Sequence, residues 1–472
     1  MKRSIINRPN RRIRNRAAIL STATIAFWCC FFMAAQAVAA EPEERPNIVL
    51  IMADDLGYGD IGCFGSERIK TPHLDRLASE GLRFTDFHSS GAVCSPTRAG
   101  LMTGRYQQRA GIPSVIVADP TRPTHPHGLQ DREITFAELF TKAGYETAIF
   151  GKWHLGYYKK YNPVRHGFGQ FRGYISGNVD FFSHVDQAGR LDWWRDDEID
   201  DEPGYTTHLI TKHSLAFIEA NKDKPFCLYM PYEPPHYPYQ GPNDEPIRKV
   251  GTPRGNAESQ QSKADKLRAY KEMVEEMDKG VGEVIASLKR NNLERKTLVM
   301  FFSDNGATAV GDNGPLRGNK GQVWEGGHRV PGIAWWPGKI EPGRVSHELA
   351  ITLDVMPTIL AAAGIEIPNG HHLDGVNLLP HLTTGLQNLD ERRLFWGHGN
   401  QRAARFAQWK LVTNAPGQKQ PGLFDLSQDL AEKNDLAKEQ PQRLETMLRA
   451  LKAWEIDVAD ASPQPNSPPS EK

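Results

Sequence analysis

The sequence predicts an α/β fold: a large, mostly parallel sheet flanked by helices, followed by a small antiparallel sheet with one helix. Three observations carry this. Between residues 46 and 363, short apolar runs alternate with helical patterns. The runs are unbroken, as in 46–53 (PNIVLIMA), which reads as a buried strand. From Leu394 the character changes to short apolar segments separated by polar turns, closed by one helical stretch.

In chain order, residues 1–40 stand outside the fold. Lys2, Arg3, Arg8, Arg11, Arg12, Arg14 and Arg16 precede an apolar run over 17–35, and Ala37-Val38-Ala39 resembles a signal-peptidase site. An export signal is expected; the alternative is an uncleaved anchor, because the run approaches spanning length. Arg11-Arg12 lacks the Phe-Leu-Lys expected of a twin-arginine signal. Strands are expected at 46–53, 146–150, 226–230, 298–302 and 332–336. Helices are expected at 74–80, 135–143, 209–220, 267–289 and 354–363. A further helix starts at Cys94, because Ser95-Pro96 suits a first turn, where proline has no N–H to lose. Short strands at 394–396, 403–406, 410–412 and 422–425 and a helix over 441–456 form the second subdomain. Residues 239–265, rich in Pro, Gly and Gln, read as a surface loop, and the Pro/Ser-rich tail from 461 as disordered. The expected division is 1–40 signal, 44–385 catalytic domain, 390–460 C-terminal subdomain and 461–472 tail.

The 472 residues are enough for a large core, and 57 basic side chains balance 57 acidic ones. That balance gives no footprint for nucleic acid. It leaves anionic small substrates open, because one pocket of a neutral protein can still focus positive charge. Of five cysteines, Cys29 and Cys30 leave with a cleaved signal. Cys63 and Cys227 either pair or remain as two buried thiols, and the chain is no disulfide scaffold. The absence of any Asn-x-Ser/Thr sequence favours a bacterial envelope, periplasmic or secreted, over a eukaryotic secretory route.

The chemistry gathers at Cys94 and at the ends of four strands. Cys94 at a helix N-terminus meets free N–H groups and the positive end of the dipole, and Arg98, four residues on, returns to the same face. Ligands of open α/β sheets sit at the carboxyl ends of strands. The first run ends in Asp54-Asp55 and the fourth in Ser303-Asp304-Asn305-Gly306, an all-oxygen set suited to Ca²⁺ or Mg²⁺ rather than Zn²⁺. The second ends in Gly151-Lys152-Trp153-His154, which puts Lys152 and His154 on one face. The third ends in Pro234-Pro235-His236, where prolines hold the histidine. The stretch 314–327 adds Lys320 among glycines that permit close backbone approach to a ligand.

Cys94-Ser95-Pro96-Thr97-Arg98, followed by Leu101-Met102-Thr103-Gly104-Arg105, resembles the signature of the type I sulfatases, and the likeness covers most of the chain after residue 40. The resemblance implies an alkaline phosphatase-like fold and a sulfuric ester hydrolase. It implies that Cys94 is oxidised to Cα-formylglycine by a formylglycine-generating or sulfatase-maturing enzyme, and that the hydrate attacks sulfur. It also implies Ca²⁺ bound by Asp54, Asp55, Cys94, Asp304 and Asn305. Lys152, Lys320 and Arg98 would hold the sulfate, His154 would take the hydroxyl proton, and His236 with Lys320 would protonate the leaving oxygen. Trp335-Trp336-Pro337-Gly338 and His166-Gly167-Phe168 resemble the arylsulfatase A and N-acetylgalactosamine-6-sulfatase branch. An aryl or carbohydrate sulfate follows, with a sulfated glycan preferred. Residues 178–182, Asp192-Trp193-Trp194, His213 and the loop 239–265 either line a sugar-binding rim or belong to ordinary packing. The alternatives are a phosphate mono- or diester hydrolase of the same superfamily and an unmodified, inactive chain that binds sulfated glycans. The membrane enters only if the signal stays uncleaved.

Overall fold

An unbroken apolar run requires a strand covered on both faces, and β1 (Asn47–Ala53) is buried at all seven positions. Ile48, Leu50 and Met52 enter one hydrophobic core, while Val49, Ile51 and Ala53 enter another on the opposite face. The computed structural model describes residues 45–253, 261–385, 389 and 392–460. The expected signal at 1–40, with Cys29 and Cys30, and the expected tail from 461 lie outside them. No helix among the described residues is long and apolar enough to cross a membrane.

After β1 come α1 (Pro72–Ser79), β2 (Leu82–Phe84), β3 (Phe87–His88), α2 (Cys94–Thr103), α3 (Phe136–Lys142), β4 (Glu146–Lys152), β5 (Gln170–Tyr174), β6 (Trp194–Arg195) and β7 (Glu198–Ile199). Then follow α4 (Thr206–Ala220), β8 (Phe226–Pro231), α5 (Lys263–Arg290), β9 (Thr297–Ser303), α6 (Glu325–His328), β10 (Gly332–Trp335), β11 (Arg344–Ser346), β12 (Ala350–Ile351), α7 (Val355–Ala362) and α8 (Leu379–Thr384). Ten strands form the large sheet in the order β11-β2-β10-β9-β1-β8-β4-β5-β6-β7. Its centre, β9-β1-β8-β4-β5, is parallel. The margins are mixed: β10 runs antiparallel to both β9 and β2, and β6 antiparallel to β5 and β7, while the outer pair β11-β2 is parallel. The sheet is therefore mixed, with its parallel pairing concentrated in the middle. Apart from β10, the marginal strands have two or three residues each, too short for a periodic signal.

The C-terminal sheet is an antiparallel meander of β13 (Arg393–His398), β14 (Gln401–Phe406), β15 (Trp409–Thr413) and β16 (Gly422–Asp425), followed by α9 (Pro441–Asp460). Its core is shared: Trp396, Leu411, Val412 and Met447 cluster with Tyr106, Val323, Trp324 and Leu349 from the larger part. The expected surface loop 239–265 is partly built in. Tyr239, Gln240 and Arg248 are buried, and α5 begins at Lys263, capped by the Ser262 side chain. Cys63 and Cys227 are free thiols, so the disulfide alternative does not hold.

Candidate active site

The strand order decides where the polar endings meet. β9, β1, β8 and β4 are consecutive neighbours, so their carboxyl ends lie side by side. Asp304 N donates to Ala53 O at 3.1 Å and Asp54 N to Pro234 O at 3.1 Å, stitching three endings together. Asp55 (φ 69°) and His154 (φ 57°) hold left-handed backbone conformations, uncommon for residues other than glycine and frequent at functional sites.

Helix α2 enters this place end-on. Its N-cap, Val93, is extended and makes no side-chain cap, so the dipole end beside Cys94 is left uncapped by a side chain. Gly104 ends the helix at φ 65°, and all ten helical residues are buried. Arg98 donates to Asp304 Oδ2 at 2.8 Å and to Lys152 O at 3.1 Å, and stands 3.7 Å from Asp54 Oδ1. Lys152 Nζ is 2.6 Å from Asp54 Oδ2. Lys320 Nζ lies 2.6 Å from Asp55 Oδ1 and 3.3 Å from Cys94 Sγ. Asn305 Nδ2 donates to Asp55 Oδ1 at 2.8 Å. Three carboxylates thus face three cations in a nearly solvent-free cluster.

Three oxygens of this cluster are buried without a hydrogen-bond partner: Asp54 Oδ1, Asp55 Oδ2 and Asn305 Oδ1. Asp54, Asp55, Cys94 and His236 offer ligand atoms within 4.8 Å of one another. Asp304 sits behind them, with Oδ1 accepting from Asp55 N at 3.2 Å and Oδ2 from Arg98. Burial would raise Asp55, but Lys320, His236 and two side-chain hydrogen bonds hold it at about 2. Burial and then the Asp54 carboxylate raise Asp304 to about 6. Burial pushes the Cys94 thiol up to about 12 despite Lys152 and Lys320.

Both histidines are held in one tautomer by the backbone. His154 Nε2 contacts Ile116 O at 2.8 Å and His236 Nδ1 contacts Tyr237 O at 2.7 Å; a carbonyl only accepts, so these nitrogens carry the hydrogen. His154 Nδ1 is buried without a partner, and His236 Nε2 stands 3.7 Å from Asp55 Oδ2. Burial, then Lys152 and Arg98, hold His154 well below the usual histidine range; burial and then Lys320 do the same for His236.

Cys94, Lys320, His154 and His236 border a cavity of about 260 Å³, walled further by Val115 to Ala118, Tyr157, Asn178, Gln187, Tyr237 and Thr308. Of the expected rim only Asn178 lines it. Phe181 is core, Asp192 accepts from the N–H groups of Ile175 and Ser176, and His213 pairs with Glu202. No described residue of 239–265 lines the cavity. The segment 115–118 carried no local signal. Glu233 was also passed over, although it too follows a buried strand. It is buried, it accepts from Val179 N at 2.8 Å, and burial raises it well above the usual range. Arg98 and Lys152 lie behind the carboxylates rather than on the cavity.

The glycines of 314–327 permit close approach to backbone rather than to a ligand. A Cβ on Gly306 would lie 1.9 Å from Gly326 O, and one on Gly327 1.8 Å from Gln322 O. The Lys320 loop is tied to the Cys94 loop, Gly321 N donating to Ala92 O at 2.8 Å. From the other side Gln401 Nε2 donates to Gly321 O at 2.9 Å. A second buried cluster, Asp86, His88, Glu325, His328, Arg329, Arg405 and Lys410, joins the C-terminal sheet to the larger part. His88, Glu325 and His328 have metal-like spacing, but Lys410 Nζ already stands 2.7 Å from Glu325 Oε1 and 2.9 Å from His328 Nε2. An ammonium holds the place a cation would take.

A family model described as Sulfatase matches residues 46–365. The chain belongs to the sulfatase family. A second model, N-sulphoglucosamine sulphohydrolase, C-terminal, matches residues 319–455 of this sulfatase, including the small sheet. N-acetylgalactosamine-6-sulfatase of Rattus norvegicus is 33% identical over 399 residues, 79% of this chain and 72% of the relative. Arylsulfatase A of Homo sapiens is 36% identical over 378 residues, 74% and 69% of the two chains. The solved structure of Ps i-CgsB in complex with k-i-k-neocarrahexaose superposes with a TM-score of 0.78 at 30% identity, covering 89% of this chain and 94% of that one. The protein is a sulfatase, a sulfuric ester hydrolase with the alkaline phosphatase-like fold of its structural neighbours.

Proposed function

We propose that this sulfatase releases sulfate from a sulfated glycan, using a Cα-formylglycine made from Cys94 and a Ca²⁺ ion held by Asp54, Asp55, Asp304 and Asn305. The observation that carries the reading is the cluster of Asp54, Asp55 and Cys94 ligand atoms, in which Asp54 Oδ1 and Asp55 Oδ2, like Oδ1 of the neighbouring Asn305, are buried without a hydrogen-bond partner. Orphaned buried oxygens are costly, and a hard cation satisfies all three at once. A divalent ion added to three carboxylates and three cations leaves a positive site, which suits an anionic ester. The modified residue and the ion, when present, supply a nucleophile of lowered pKa at neutral pH.

The side chains of the chain do the rest. A thiol held near 12 stays protonated and is a poor nucleophile, which fits Cys94 as a precursor rather than as the attacking group. Lys320 faces the cavity and neutralises sulfate oxygens, while Arg98 and Lys152 set the carboxylates and add charge from behind. His154, with its free Nδ1 lone pair, takes a hydroxyl proton. His236 rests neutral, so the Lys320 ammonium is the resting proton donor, and the two side chains share the departing oxygen.

The names of two relatives, N-acetylgalactosamine-6-sulfatase and Ps i-CgsB with its neocarrahexaose, support a carbohydrate ester. Residues 1–40 would export the enzyme to a bacterial envelope, and a formylglycine-generating enzyme would be its maturation partner. The mass of the peptide holding Cys94 tests the reading. Loss of the sulfur as formylglycine is expected, and Cys94→Ala should keep the fold and lose turnover. An intact thiol in fully active protein would refute it.

A further inference from the structure

We propose that Arg190, packed against two walls of the cavity, binds a second anionic group of the substrate. The preferred glycan then carries a carboxylate or a second sulfate beside the scissile one. The inference rests on the glycan reading above and narrows its substrate class.

Arg190 belongs to a loop closed by the bridge between Val185 and Leu191. Asp186 organises that loop. Its Oδ1 accepts from Ala188 N at 2.8 Å and Arg190 N at 2.9 Å, and its own N–H donates to Arg190 O at 2.8 Å. Asp186 Oδ2 takes one edge of the guanidinium, Nε at 3.0 Å and Nη2 at 2.8 Å. The side chain is thus placed before any ligand arrives, which lowers the entropic cost of binding.

The loop is part of the cavity wall. Gln187 lines the cavity and donates to Tyr237 Oη at 3.0 Å. Arg190 Nη2 also donates to Ala118 O at 3.2 Å, and its Cζ stands 5.6 Å from the centroid of the Tyr157 ring. Ala118 and Tyr157 both line the cavity. The guanidinium is therefore fixed to two of the walls that a sugar above Lys320 would touch.

The charge it presents is positive. The Arg190 side chain is 46% exposed, whereas that of Asp186 is 2% exposed, so substrate meets the guanidinium and not its counter-ion. Nη1 has no protein partner among the described residues. With Nε on Asp186 and Nη2 shared between Asp186 and Ala118, the guanidinium still offers the two N–H groups of Nη1 to a carboxylate or a sulfate. A loop-closing ion pair alone would not need its arginine anchored to both Ala118 and Tyr157.

Three disaccharide substrates test this: one monosulfated and otherwise uncharged, one disulfated, and one monosulfated with a uronate. Wild type should turn over one of the dianionic substrates with the higher kcat/KM, and which one assigns the second anion. Arg190→Gln should cut that preference about tenfold, mainly through KM, as expected for losing a hydrogen bond to a charged group. In wild type the preference should also shrink as salt screens the exposed guanidinium. No preference in wild type, or an equal loss on all three substrates in Arg190→Gln, would overturn the proposal. If the variant fails to fold, a wild-type preference insensitive to salt would overturn it alone. Turnover of an aryl sulfate with none of the three disaccharides would instead sink the glycan reading on which it rests.

Discussion

Replacing Glu432 by Gln should stabilise the protein at alkaline pH and change little at acid pH. Glu432 and Glu325 share one buried ammonium: Lys410 Nζ is 2.7 Å from Glu325 Oε1 and 3.7 Å from Glu432 Oε1. The nearer carboxylate keeps its charge and the farther one keeps a proton. Burial raises Glu432 to about 7, with Glu325 adding to the rise and Lys410 opposing it. The folded protein therefore holds this proton more tightly than the unfolded chain, where the group titrates near 4.5. The linked stability is complete below pH 4.5 and is lost as pH rises through about 7. At about 1.4 kcal/mol per pH unit across that gap, the loss approaches about 3 kcal/mol. Glutamine cannot ionise, and it still offers an oxygen to Glu325 N, which Glu432 Oε2 accepts at 2.8 Å. Urea melts of both proteins at about pH 5.5 and about pH 8.5 should show the variant gaining about 2 kcal/mol between the two conditions. Comparing variant with wild type at each pH cancels the titration of the carboxylates around Cys94. A difference independent of pH, or one that turns against the variant as pH rises, would refute the shared-ammonium argument.

Elemental analysis should find one calcium per chain, and chelation should lower both activity and melting temperature; a cation at a hundredfold excess over its Kd is worth about 2.7 kcal/mol. Stoichiometric zinc without calcium would contradict the all-oxygen ligand set. His236→Ala should lose most activity on esters of poor leaving groups and be partly rescued by an activated aryl sulfate, whereas His154→Ala should lose about equally on both. The reverse pattern in steady-state kinetics would exchange the two roles. Gly306→Ala should destabilise the protein and impair turnover together, because its Cβ would sit 1.9 Å from Gly326 O and push Asp304-Asn305 away from the Lys320 loop. Wild-type urea stability in that variant would show that the two loops part without cost.

The chemistry of the site was legible because it is local. Each buried run stops where its polar residues begin, so Asp54-Asp55, Lys152, His236 and Asp304-Asn305 could be read one strand at a time. The start of α2 was readable from Ser95-Pro96 for the same reason: a helix's first turn depends on neighbouring residues.

Tertiary structure decided what depends on pairing. The order β9-β1-β8-β4, which brings the four endings together, is a choice among strand partners that no single run encodes. The antiparallel pairings at the margins were not legible, because most of those strands are too short to carry a period. Arg98 and Lys152 were expected to grip the substrate, but the side chains across from them are carboxylates, and burial leaves no cheaper partner for those charges. The glycines of 314–327 were read as room for a ligand and serve backbone-to-backbone contact, because what fills such room is set by the opposing loop. The walls of the cavity, 115–118, Tyr157 and Gln187, come from loops far apart in the chain. The sequence alone determined the fold class and the family and nominated the candidate site residues, because the patterns that carry them need only short-range order. The three-dimensional packing decided which of those residues face the cavity, because burial and charge pairing are properties of neighbours that only folding brings together.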